Sequence, residues 1–377
     1  MEIAATNQSA MWVGRPFNPR NNSLNLLRLI LATSVLFHHS FPLMGLGEGP
    51  DLHGDAIGGW AVVGFFCISG YLIAASRSSK SFGDYLSLRI ARIFPGFIIC
   101  NLVTVVVFAP IAWAYVNHTW HGYLSTPTTP LNYLWSNLGL KMANYDVAST
   151  PVNVPYPHAW NGSLWSLYYE FICYLLVGLL GSFALFRRSP WGTTAVWGGT
   201  VVFQALLPIT NRYFQTNSDI VQLAKLLPYF MAGAVLAEAR KRIGMHWTAG
   251  LASAAGFMIC LLGVPGWGGQ LGSLFLVYFL LWAGSVVPCP QIIQVHDISY
   301  GMYIYAFQVQ QMLAVFGVFR LGYWWFSLLA LGITIVLAIG SWLVVERPVM
   351  TAVRRAIKSP SLRVAGEVGI SRVAASG

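Results

Sequence analysis

Ten apolar stretches, recurring from residue 24 to residue 345, leave this chain very few folds to choose from. In lipid every backbone N–H and C=O must find a partner inside the protein, so a chain crosses only as helices or as a closed barrel. A barrel would show short alternating strands, and these runs are continuous. They read as helices over about 24–44, 58–76, 93–115, 162–186, 191–209, 221–238, 247–264, 271–287, 298–316 and 322–345. Charged residues make up only 9% of the sequence, against about 25% in a soluble domain. The expected fold is all-α: a polytopic membrane protein with about ten transmembrane helices.

The net charge of +10 raises a nucleic-acid reading, which the placement of the charge sets aside. Lys and Arg cluster between the apolar segments as topology anchors do. With the N-terminus in the cytoplasm, all but Lys141, Arg212, Lys225 and Arg320 of the 22 basic residues fall on the cytoplasmic side. The expectation is therefore both termini cytoplasmic: a cytoplasmic segment over 1–23, a membrane domain over 24–350, and a flexible basic tail over 351–377. No cleavable signal is evident, so the first span acts as its own insertion signal. The five cysteines show no CxxC or metal-like spacing and read as buried free thiols.

Inside the first span two residues do not belong in hydrocarbon. Arg28 stands near one end and His39 deep within, and such groups usually face a protein interior and take part in function. Eleven residues is about three helical turns, so the two share a face about 16 Å apart along the axis. His38 points about 100° away. A buried neutral imidazole can accept or donate a proton in acyl transfer, although a histidine that only ties helices together is an equal reading of the spacing. Opening the fourth span, Trp165-Ser166-Leu167-Tyr168-Tyr169-Glu170 puts Ser166 and Glu170 four apart on one face, with Ser163 as a candidate N-cap. Glu170 lies about 10 Å inside its helix, a depth at which it could meet His39. Arg89 and Arg92, three apart, form a pair suited either to a phosphorylated cofactor or to simple positive-inside anchoring. Residues 116–161 form a long loop rich in Pro, Asn and aromatics, whose rings fit an interfacial belt better than sugar stacking. The acidic and histidine residues at Glu48, Asp51, His53 and Asp55, like His118 and His121, match no specific metal spacing and read as solvated, so no metal is expected.

Taken in order, these segments resemble the acyltransferase 3 family of integral membrane acyltransferases, which includes bacterial O-antigen and exopolysaccharide O-acetylases. The matching pieces are Asn25-Leu26-Leu27-Arg28 with His39, Phe65-Phe66-Cys67-Ile68-Ser69-Gly70-Tyr71, Arg89-Ile90-Ala91-Arg92-Ile93-Phe94-Pro95, Trp165 to Glu170, Ile298-Ser299-Tyr300-Gly301-Met302-Tyr303, and Glu346-Arg347-Pro348. The resemblance selects His39 over His38. It implies an acyl-CoA donor, acetyl-CoA first among them, and a carbohydrate or glycolipid hydroxyl as acceptor. It implies His39 as general base or transient acyl carrier with Glu170 beside it, Arg28, Arg89 and Arg92 on the donor's phosphates, and Trp165 and Ser166 shaping the site. The setting it implies is the bacterial inner membrane. Many members carry a histidine after the Ser-Tyr-Gly motif, where this chain reads Ile304-Tyr305-Ala306-Phe307-Gln308. The esterase-like domain appended in many relatives has no counterpart, so acceptor handling falls to the bundle and its loops. A proton-coupled transporter or flippase of a glycan intermediate is the rival reading.

Overall fold

A computed structural model describes residues 14–359 apart from 185, 187–189 and 241. The expected anchors Arg187, Arg188, Lys241, Arg363 and Arg372, and the tail beyond 359, lie outside the described residues. Helices make up most of the rest. They are α1 (Leu24–Leu43), α2 (Ile57–Arg77), α3 (Phe82–Val103), α4 (Ala109–Asn117), α5 (Pro130–Asn137), α6 (Trp165–Leu180), α7 (Pro190–Phe214) and α8 (Ser218–Ala239). The chain continues through α9 (Trp247–Gly263), α10 (Gly268–Leu271), α11 (Ser273–Val286), α12 (Gln291–Val295), α13 (Ser299–Val315), α14 (Tyr323–Ser341) and α15 (Arg347–Lys358). Between α1 and α2 a two-residue hairpin pairs Asp51 with Ala56 and Leu52 with Asp55. Its turn residues His53 and Gly54 have φ of 54° and 79°, as a tight primed turn needs.

Among the described residues six helices are long and apolar enough to cross a membrane, and three shorter apolar ones are Trp165–Leu180, Trp247–Gly263 and Ser273–Val286. The protein is thus an all-α membrane protein. Helix α13 is different: nearly every residue from Ser299 to Ala314 is buried, Gln308, Gln310 and Gln311 included. It packs against α1, α3 and α14 and forms the centre of the site.

Two expected boundaries move, for one physical reason. The third helix begins at Phe82, well before residue 93, and with α4 runs to Asn117 through a π-turn at Thr104–Phe108. The last one passes a second π-turn at Trp342–Glu346 and continues to Lys358, so a boundary at 350 falls inside a helix. Arginines and a glutamate marked these places as loops in the sequence. In the structure Arg92 and Glu346 pair with each other, which removes the reason to leave the helix. The amphipathic α15 then lays Met350 against Leu88 and Ala91 of α3. Ser163 is not the cap of α6: that position is Leu164, and the Ser163 hydroxyl donates instead to the Tyr303 carbonyl at 3.4 Å.

Helices α2 and α8 make the most extensive contact in the molecule, and it is a backbone contact. A Cβ on Gly70 would lie 2.0 Å from the Phe230 carbonyl oxygen, and one on Gly233 would lie 2.4 Å from that of Cys67. Small residues at such crossings let membrane helices approach closely. Gly70→Ala is expected to force the pair apart and cost about 1–3 kcal/mol or more. A thermal unfolding midpoint in detergent equal to that of the parent would contradict this.

Candidate active site

The site begins at a carboxylate that caps a helix. Asp297 stands two residues before α13 proper, and its Oδ1 accepts from the Ser299 backbone N–H at 3.2 Å and from its hydroxyl at 2.5 Å. That satisfies donors at the start of a helix, which have no partner within it. The other oxygen, Oδ2, takes two guanidinium groups: Arg28 at 2.5 Å from α1 and Arg92 at 2.6 Å from α3. Arg92 reaches on to Glu346 at 3.4 Å, whose other oxygen accepts from Ser341 at 3.0 Å. Two cations and two anions make a formally neutral, largely buried cluster tying α1, α3, α13 and the last helix together. Burial by itself would raise the Asp297 carboxyl, but Arg28 and Arg92 outweigh it and hold it down to about 2.

From this cluster a column of side chains leads along α13 toward His39. Arg28 lies 5.8 Å over the Phe65 ring, and Phe65 meets Tyr303 edge-on at 5.8 Å. One turn on, Phe307 meets His39 edge-on at 5.2 Å. Ser299, Tyr303 and Phe307 follow the four-residue spacing that keeps one helix face. A small pocket opens along the first half of this column, with Arg28, Phe65, Ser166, Glu170, Ser299 and Tyr303 in its wall. The Tyr303 hydroxyl is 2.6 Å from Ser166 Oγ and donates to the Ser163 carbonyl at 2.6 Å.

At the far end His39 keeps its Nδ1 buried without a hydrogen-bond partner among the described residues. Its orientation is fixed by the neighbour: Ser40, fully buried, accepts from Gln310 Nε2 and from Ser327, both at 2.8 Å. These bonds lock α1 to α13 and α14 and turn His39 inward. His38 lines a lateral groove with Phe37, Phe41 and Tyr323, its own Nδ1 also buried and without a partner among the described residues.

Four of the expected site residues therefore come together: Arg28, Ser166 and Glu170 in one pocket, with Arg92 joined through Asp297. The structure does not bring Glu170 to His39. Its Oε1 accepts from Ser69 at 2.6 Å and from Tyr174 at 2.7 Å, partners that face away from His39. Trp165 packs on Tyr169 at 5.8 Å outside the pocket wall. The arginine pair also divides. Arg92 is neutralised by two carboxylates, whereas Arg89 makes no ion pair among the described residues and leaves its buried Nε unbonded. Arg89 rests over the Tyr85 ring at 5.9 Å.

Sequence reasoning missed Asp297. It immediately precedes the Ile298-Ser299-Tyr300-Gly301 motif, and the signal available was scarcity: the chain has 12 acidic residues, and two arginines beside apolar spans need partners. Residues 116–161, which read as an irregular loop or short helices over the bundle, include the short helix α5, and part of the segment is built into the bundle. Trp160 is fully buried and donates to Thr150 at 3.1 Å. Asn161 donates to Tyr133 at 2.5 Å and to Asn101 at 3.1 Å. Gln308 donates to Asn161 and so anchors this loop, and Gln311 holds the carbonyls of Tyr156 and Ala159 at 2.7 Å. The hairpin acids are engaged as well, since Asp55 pairs with Lys225.

The chain is similar to known proteins over most of its length. A family model described as an acyltransferase domain, the acyltransferase 3 model, matches residues 21–343. An O-acetyl transferase of Shigella phage Sf6 is 28% identical over 347 residues, covering 88% of this chain and 97% of the relative. Nodulation protein 10 of Rhizobium leguminosarum bv. viciae is 26% identical over 357 residues, covering 87% and 93%. No solved structure matches.

Proposed function

Because the chain belongs to the acyltransferase 3 family and is an O-acyltransferase, we propose that it moves an acetyl group from acetyl-CoA to a hydroxyl of a cell-surface or exported carbohydrate, in the bacterial inner membrane. The observation that carries this reading is the column that starts at the Arg28–Asp297–Arg92 cluster and ends at a histidine with an open ring nitrogen. Arg89, the member of the Arg89–Arg92 pair with no carboxylate partner among the described residues, is the phosphate ligand of choice; Arg28 lines the pocket, and Arg92 holds the helices that form it. The thioester enters past Glu170 and Ser166 toward His39.

There the imidazole takes the proton of the acceptor hydroxyl as its oxygen attacks the thioester carbonyl. A C–O bond forms, the C–S bond breaks, and the imidazolium returns the proton to the departing thiolate. Glu170, held by Ser69 and Tyr174, shapes the donor's passage and acts on the reaction from that distance. Transient acyl-His39 is the two-step variant of the same chemistry.

Transfer of labelled acetyl from acetyl-CoA to the surface polysaccharide, assayed in detergent, tests the reading. Transport driven by a proton gradient would give none there. Arg89→Ala is expected to raise the donor KM about tenfold, the worth of one charge-assisted contact, and to leave the acceptor KM in place. Equal donor KM values in variant and parent would return Arg89 to topology.

A further inference from the structure

At the end of the bundle remote from Asp297 there is a second polar pocket, of about 300 Å³, which the route to His39 does not use. It lies where the 51–56 hairpin meets α2, α7, α8 and α10, and its wall includes Asp55, Trp60, Gln204, Lys225, Tyr229 and Gln270. On α2, Trp60 precedes Phe65 by five residues, which puts the two about 140° apart around the helix. The pocket and the column therefore open on different faces.

Its chemistry is specific. The formal charges cancel, since Lys225 pairs with Asp55, and the one histidine in the wall, His53, is exposed to solvent. Three polar groups remain open. Gln204 Oε1 is buried with no partner. Tyr229 is 2% exposed, and its hydroxyl has no hydrogen bond to any described residue. Gln270, 5% exposed, commits only an amide N–H, to the Lys225 carbonyl at 3.4 Å. The Trp60 indole N–H is taken by the Leu52 carbonyl at 2.9 Å, so Trp60 offers its ring. A Cβ on Gly269 would come 2.4 Å from the Tyr229 hydroxyl and 3.2 Å from the Trp60 ring; only glycine keeps this space free. Buried polar groups in native proteins are satisfied almost without exception, by protein, water or ligand.

A ring face, an amide acceptor, a phenol and an amide around a neutralised ion pair suit a neutral, polyhydroxylated ligand, with C–H groups on the ring and hydroxyls on the polar atoms. We propose that this pocket holds a neutral sugar residue of the acceptor chain, separate from the residue whose hydroxyl is acylated. This rests on the reading of the acceptor as a carbohydrate. Two anchoring points would fix which hydroxyl reaches His39.

The test uses the full-length protein in detergent and surface polysaccharide extracted from host cells that lack the gene, fluorescently labelled for binding and unlabelled for transfer. Tyr229→Phe and Gln204→Leu are each expected to raise both the dissociation constant and the acceptor KM about tenfold, the worth of one lost hydrogen bond to a buried polar group. The kcat, the donor KM and the thermal midpoint should stay at parental values. Unchanged acceptor KM and binding in both variants would overturn the pocket and leave the enzymatic reading standing. Polysaccharide binding that the variants weaken, with no transfer by the parent, would instead overturn the acceptor chemistry and keep the pocket. A parent that neither binds nor acylates the polysaccharide would refute both.

Discussion

His39→Ala is expected to lower acetyl transfer by about a thousandfold or more, within the range general acid–base groups supply, while the protein still inserts and folds. The ring is not a structural bolt. It makes no hydrogen bond through Nδ1, and its packing partner Phe307 is itself held in place. A Cβ on Gly162 would sit 2.5 Å from the Phe307 ring, so the ring fills its niche without help from His39. The bonds that fix this part of α1 belong to Ser40, which Gln310 and Ser327 contact at 2.8 Å. Truncation should thus cost little stability and nearly all turnover. His38→Ala supplies the contrast, because that ring lines the lateral groove and not the column, and its loss should leave the rate within about threefold. Labelled-acetyl assays on both variants, beside thermal midpoints, decide the matter. A folded His39→Ala enzyme with a rate near the parent's would remove the imidazole from the mechanism.

The helices were legible in the sequence because lipid permits so few alternatives. α1 and α2 were read to within a residue or so at each end, from apolar length alone. The failures share a cause. The helix boundaries at 93 and 345 left Arg92 and Glu346 just outside their spans, where no lone charge had to enter hydrocarbon. Pairing is a long-range fact: Arg92 and Glu346 are 254 positions apart, and nothing local announces that they meet. The same limit explains Glu170. Helical rise placed it at a depth where it could face His39, but depth fixes one coordinate of three, and Ser69 and Tyr174 claim its carboxylate. Motif order carried more than spacing did. It selected His39 over His38 and set Ser166 and Glu170 in one segment, and both sit in the pocket beside Arg28. The polar lining of the second pocket was scattered over four segments, from Asp55 to Gln270, and had no sequence signature.

Asp297→Asn is expected to be the most destabilising single change in the molecule. An amide would keep the shape, but with its single oxygen on Ser299 it would turn an NH2 donor toward Arg28 and Arg92 and remove the charge that holds them together. Breaking one partner of a buried ion pair typically costs about 3–5 kcal/mol, and here one carboxylate serves two arginines, both only about 15% exposed. Glu346 could not replace it: it lies 3.4 Å from Arg92 and has no ion pair with Arg28 among the described residues. The damage should appear as a lower unfolding midpoint and, in the fraction that folds, as a slower enzyme, because α1 and α13 would lose the register that sets His39 against Phe307. Acid offers a second approach. With the carboxyl held down from 3.8 to about 2, its contribution is complete above the ordinary aspartate range and fades only as pH falls through about 2. Between pH 5 and 8 Asp297 itself should therefore add no step to the parent's midpoint. A variant as stable as the parent would mean that the arginines find other partners, and the cluster could not then be what holds the head of the column together.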